Sequence, residues 1–282
     1  MSARSRVALL LIVLLTPVRV LVAHPGWGLV HDPARRIIYF TDLTQVWAVD
    51  SGGRARVVVP HVHTHELRLD VHGTLYGEDV ETVGSGARAR QWQLAAGASR
   101  AEFTAWTSGW RAETGFVADS AGSLYRAVCD VPTDRCAVRG YRRDGRVETV
   151  PGADRFARPL NFLAATPRGA VLVADGAHIL QLTARGPVAV ARAVATDTSR
   201  FAIMGFEPLA DGALLAAVYG DGVVLRVGAD GARRVLRRSP PGWRPSAVRS
   251  AMGRLWITEY DDRARCRLVI VEPDGRARMV PT

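Results

Sequence analysis

Short apolar runs alternate with polar positions along almost the whole chain, and nearly every run stops at Gly, Pro or Asp within a few residues. Ile37-Ile-Tyr-Phe-Thr41, Val223-Val-Leu-Arg-Val227 and Leu268-Val-Ile-Val271 have the length and the β-branched and aromatic content of strands. No segment keeps a 3.6-residue period, and Ala-rich stretches are broken by Gly, Pro or β-branched residues. Hairpin turns are predicted at Ser51-Gly-Gly53, Asp144-Gly145, Asp230-Gly231 and Asp274-Gly275, where the backbone must tolerate positive φ.

The runs recur as a unit. First strands are predicted at Gly28–Asp32, Leu67–Asp70, Gly115–Asp119, Phe162–Thr166, Phe206–Leu209 and Val248–Ser250. Second strands follow at Ile37–Asp42, Thr74–Asp79, Ser123–Val128, Val171–Asp175, Ala213–Val218 and Arg254–Glu259. Third and fourth strands complete each copy. A four-stranded unit of ~40 residues is a propeller blade, so the chain is predicted to be all-β, a single six-bladed β-propeller of four-stranded antiparallel blades over residues 24–282.

Composition narrows the rest. At 282 residues, 48% hydrophobic and 23% charged, the chain is neither a disordered tail nor a small disulfide-stapled module. The net charge of +10 comes from arginine alone, and only Arg233, Arg234, Arg237 and Arg238 cluster. So dispersed a pattern argues against a nucleic-acid partner. Residues 1–23 read as a secretory signal peptide: Arg4 and Arg6, an apolar run from Val7 to Leu15, and Ala23 before the mature chain. Arg19 and Leu21 leave an uncleaved anchor as the alternative, the one membrane association expected. The protein is therefore expected to be exported, periplasmic or extracellular. Cys129 and Cys136 flank a turn and are expected to form a disulfide across a hairpin; Cys266 is left over.

Asp32-Pro-Ala-Arg-Arg-Ile-Ile-Tyr-Phe-Thr-Asp42, the stretch from Leu160 and Asn161 to Asp175, and Tyr219-Gly-Asp-Gly-Val-Val-Leu-Arg226 resemble the six-bladed propellers of the NHL and sugar-lactonase (gluconolactonase-like) superfamily. The resemblance implies a central channel lined by the first strand of each blade, with a ligand face at the start of those strands. Counting back along each repeat, the channel mouth reads Trp27, His65, Thr114, Asn161, Met204 and Pro245. Lactonases hold a divalent metal there through Glu, Asn and Asp. Only Asn161 matches; Trp27 and Met204 carry no hard oxygen, so that calcium or zinc site is not expected.

His61-Val-His63-Thr-His65 is the sharpest local motif. On an extended segment the three imidazoles share one side, and His63 with His65, joined by His61, suits a divalent metal. The bland reading is neutral imidazoles bonded to channel backbone and water. Asp42, Asp79, Asp175 and Glu259 end second strands and are read chiefly as turn bonds. Trp106, Trp110 and Trp243 join Trp27 in connections on the ligand face, beside Arg111, Arg158, Arg200 and Arg244. Flat indoles beside guanidinium groups suit a sugar ring or an anionic ligand.

The expected function is therefore non-catalytic. The propeller would bind a small or extended ligand, carbohydrate or anionic, through His63, His65, Asn161, Trp27, Thr114, Trp106, Trp110, Trp243, Arg158 and Arg244. The alternative is a His-centred, metal-dependent hydrolase or lyase of lactone or ester substrates. A protein partner on a propeller face is a third possibility. No cofactor is expected beyond a divalent metal at His63 and His65.

Overall fold

The computed structural model describes residues 25–84, 86–108, 116–118, 122–130, 135–142, 144–152, 162–166, 169–199 and 201–282. The leader, Trp110, Arg111, Thr114, Arg158, Asn161 and Arg200 lie outside them. The predicted turn glycines Gly53, Gly145, Gly231 and Gly275 have φ of 89°, 83°, 82° and 87°. Each turn therefore reverses the chain where the sequence required it.

The reversals produce six antiparallel sheets, each an up-and-down meander of consecutive strands. Blade 1 spans 29–60, blade 2 67–108, blade 3 116–149, blade 4 163–191, blade 5 205–238 and blade 6 243–279. Blade 2 carries a fifth short strand, Thr107–Ser108, on Gly86–Leu94. The protein is an all-β six-bladed propeller, as its repeats predict.

Strand alternation explains how the blades stack. Leu172 packs with Phe206 and Leu214 towards blade 5, while its neighbour Val173 packs with Tyr125, Ala127 and Val138 of blade 3. Leu215 and Ala217 likewise turn the other way, onto Val248 and Ile257 of blade 6. A blade strand is buried on both sides, which is why its sequence is apolar almost without interruption. The seam between blades 2 and 3 is instead polar: Arg68 lies over the Tyr76 ring at 4.1 Å, and Arg126 faces Glu78 at 3.9 Å.

Each innermost strand touches the next, and Trp243–Ala251 of blade 6 touches Leu29–Asp32 of blade 1, which closes the ring. No strand is exchanged between blades among the described residues. Leu29, Ile38 and Phe40 pack on Ala247, Ala251 and Trp256 at this seam. Hydrogen bonds fasten it: Arg249 Nε to Leu29 O at 2.9 Å, Tyr260 Oη to Thr41 O at 2.9 Å and Arg254 to Ser51 O at 2.8 Å.

Close approach fixes one glycine. A Cβ on Gly205, first in the inner strand of blade 5, would meet Ser246 O at 2.8 Å and the Ala247 Cα at 3.0 Å. Backbone cannot swing aside as a side chain can. Gly205→Ala is expected to cost roughly 1–3 kcal/mol, measured as a lower denaturation midpoint. In blade 3 the ladder pairs the backbones of Cys129 and Cys136, whose side chains lie outside the described ones. Cys266 is half-buried, and desolvation of its sulfur pushes the thiol well above the ordinary range.

Candidate functional site at the channel mouth

The segment His63-Thr64-His65 connects blade 1 to blade 2 and is clamped from both. Asp79 Oδ1 accepts the His63 N–H at 2.8 Å, and His63 O accepts Val80 N–H at 3.1 Å. The buried Thr64 hydroxyl donates to Glu78 O at 2.7 Å and accepts Trp92 Nε1–H at 3.0 Å. From blade 1, the Thr41 hydroxyl donates to Thr64 O at 2.7 Å, and His65 O accepts both Trp27 N–H and Gly28 N–H at 2.8 Å. Groups from both blades thus hold three residues that belong to no strand, which fixes the side chains they carry.

The imidazoles of His63 and His65 meet edge to face, with centroids 4.6 Å apart. His63 Nδ1 lies 3.0 Å from Leu43 O. A carbonyl only accepts, so Nδ1 carries the proton and Nε2 presents its lone pair. His61 is not brought to them: it is exposed with φ of 55°, a left-handed turn that ends the extended geometry on which the three-histidine reading depended.

Trp27 bridges the axis. Its indole stacks on His65 at 5.8 Å and meets Phe162 edge-on at 4.9 Å. Blades 1 and 4 lie opposite one another in a six-membered ring, so this contact crosses the channel itself. Phe162 directly follows Asn161, and Met204 is fully buried beside it. Below this apolar plug is a cavity of about 360 Å³, lined by residues from Trp27, Phe162 and Met204 at one end to His31 and Pro33 at the other.

The described arginines at this face are engaged by neighbouring groups. Arg90 bonds Asp79 at 2.9 Å and lies over Phe103 and Trp106 at 4.2 and 4.3 Å. Arg267 lies 3.9 Å over Trp243. Arg244 donates to Gly220 O at 2.9 Å. Asp42 accepts from Thr44, Gln45 and Trp47, closing its own blade turn. Glu259, wholly buried, accepts from Arg237, Ser239 and Arg267. Asp42 and Glu259 are thus spent on structure.

Trp27 packs on His65 and Phe162 and Met204 is fully buried, and neither side chain carries a hard oxygen for a divalent metal. The His63–His65 pair supplies two nitrogens, and no group of three His, Cys, Asp or Glu among the described residues could hold a metal ion. A catalytic zinc site takes three protein ligands, so a third would have to come from outside those residues.

No protein-family model matches the chain, and no curated protein sequence does. Solved structures match along most of its length. Virginiamycin B lyase from Staphylococcus aureus is 13% identical over 92% of this chain and 84% of its own, with a TM-score of 0.56. A gluconolactonase from Xanthomonas campestris is 14% identical over 90% and 86%, with a TM-score of 0.61. A luciferin-regenerating enzyme is 10% identical over 92% and 93%, with a TM-score of 0.62. The chain is thus a six-bladed β-propeller with the fold of gluconolactonase- and lyase-like proteins.

These neighbours are enzymes, a finding that overturns the expected non-catalytic recognition role. The physical reason lies in what Trp27 and Met204 remove. Their lack of a hard oxygen bears on a metal and not on a base. A positioned imidazole remains.

Proposed function

We propose that the chain is an exported hydrolase or lyase that opens the lactone or ester bond of a small molecule at the channel mouth, with the Nε2 of His63 as general base. The observation that carries this reading is the bond between His63 Nδ1 and Leu43 O, which commits the ring to the tautomer with a basic Nε2. The clamped backbone holds that lone pair without reorganisation, and the Trp27 indole and the His65 ring supply a flat platform beside it. In the lyase neighbour, a catalytically inactive form is a histidine-to-alanine variant.

Two balanced reactions suit one base. In hydrolysis, Nε2 takes a proton from water as its oxygen adds to the carbonyl carbon; the carbon–oxygen bond then breaks and the imidazolium returns the proton to the leaving oxygen. In elimination, Nε2 takes the proton from the carbon next to a carbonyl, a carbon–carbon double bond forms as the bond to the β-oxygen breaks, that oxygen leaves as a carboxylate, and the imidazolium releases its proton to solvent. The products differ by one water.

The test is a panel of sugar lactones, aryl esters and cyclic depsipeptide lactones read by mass spectrometry. Ring opening of at least one member is expected, with the product mass assigning hydrolysis or elimination. Folded protein that leaves the whole panel intact would overturn the proposal. Loss of turnover on chelation, restored by zinc, would place the His63 Nε2 lone pair on a metal and overturn its role as general base; turnover indifferent to chelator would support the imidazole as the base.

A further inference from the structure

Beneath Trp27 the channel holds charged groups that mouth chemistry does not use. Glu207 enters from blade 5, Arg249 from blade 6, His31 from blade 1, and Arg68 from blade 2. Arg249 spends its Nε on Leu29 O, and its two terminal nitrogens make no bond among the described residues. One oxygen of Glu207 accepts Ser250 N–H at 2.6 Å, and the other has no partner among those residues. His31 Nε2 is buried with no hydrogen-bond partner. A guanidinium and a carboxylate thus face one cavity without forming an ion pair, although opposite charges in a low-dielectric channel attract strongly. The far walls are apolar: Val117 and Leu163.

This arrangement selects a ligand with two polar ends. The fork of Arg249 matches a carboxylate, the free oxygen of Glu207 needs a donor, and Val117 with Leu163 suits a short carbon chain. A volume of about 360 Å³ accommodates such a molecule. We infer that this lower chamber, which shares Trp27 with the mouth but is not lined by His63 or His65, binds a small carboxylic acid bearing a hydroxyl or ammonium donor, with its carboxylate on Arg249 and its donor on Glu207. Burial pushes the Glu207 carboxyl up, and Arg249 and the Ser250 N–H oppose it. A bound donor would add to that opposition.

The test measures binding to the full chain by calorimetry, with 4-hydroxybutyrate and 4-aminobutyrate as probes and butyrate and inorganic phosphate as controls. A donor-bearing acid is expected to bind at least about tenfold more tightly than butyrate, and the better of the two probes assigns hydroxyl or ammonium. Arg249→Gln and Glu207→Gln are each expected to weaken it about tenfold, and Leu163→Phe to block it by filling the chamber. Glu207→Gln keeps the acceptor for Ser250 and so guards against a folding defect in the arginine variant. Equal binding of butyrate or phosphate, no binding of any probe, or binding indifferent to Glu207→Gln and Leu163→Phe would overturn the inference. None of these outcomes bears on ring opening at the mouth, which has its own assay.

Discussion

His63→Asn is expected to lower kcat by about 10²–10⁴-fold on whichever lactone or ester the protein opens, with KM little changed. Asparagine suits the test because its side-chain amide can still donate to Leu43 O in place of Nδ1, while the basic nitrogen is gone. The backbone clamp from Asp79, Val80 and Thr41 does not involve the ring, so the melting temperature should stay within about 2 °C. The two readouts together separate chemistry from folding. A drop under tenfold with unchanged stability would remove His63 from the reaction. His65→Ala probes a different role. That ring stacks on Trp27, so its loss should raise KM more than it lowers kcat.

Most of the architecture was legible because it rests on local rules. Turn glycines need positive φ, strand alternation has a period of two, and both repeat at propeller spacing, so the six sheets follow from the sequence with little ambiguity. The site was legible only in part. His63 and His65 were found because they are two residues apart on one segment. His61 was misplaced by the same rule, since alternation assumes extended backbone and the left-handed turn at His61 breaks it. Phe162 was read only as a strand residue. Its role in meeting Trp27 across the axis depends on ring closure between distant repeats, which no local spacing encodes. Glu207 and Arg249 were invisible for a related reason. A single charge in an inner strand looks like any solvated position until the ring turns it into a channel. Trp106 and Trp243, read from the sequence as part of a ligand platform, lie beneath arginines of their own blades, a pairing that no local spacing encodes.

Buried charge holds blades 5 and 6 together, and Glu259 is where this is most costly to disturb. Its side chain is fully buried, yet it pairs with Arg237 at 2.9 Å from the outer strand of blade 5 and with Arg267 at 2.6 Å within blade 6, and accepts from Ser239 at 2.7 Å. Burial alone would push this carboxyl up; the bonds from Arg237, Ser239 and Arg267 outweigh it and hold it below the ordinary glutamate range. Glu259→Gln removes the charge but not the volume, leaving two largely buried guanidiniums facing an amide whose nitrogen cannot accept. The expected cost is about 3–5 kcal/mol, read by urea denaturation at neutral pH. Because the folded carboxyl titrates below its unfolded value, its contribution is present above the ordinary glutamate pKa and is lost as pH falls through the depressed folded value. Wild type and Glu259→Gln should therefore converge in stability on acidification, while Glu259→Asp, which keeps the charge but shortens its reach, should fall between them at neutral pH. A constant gap between wild type and Glu259→Gln across the acid range would mean that packing, and not the charge on Glu259, joins the two blades.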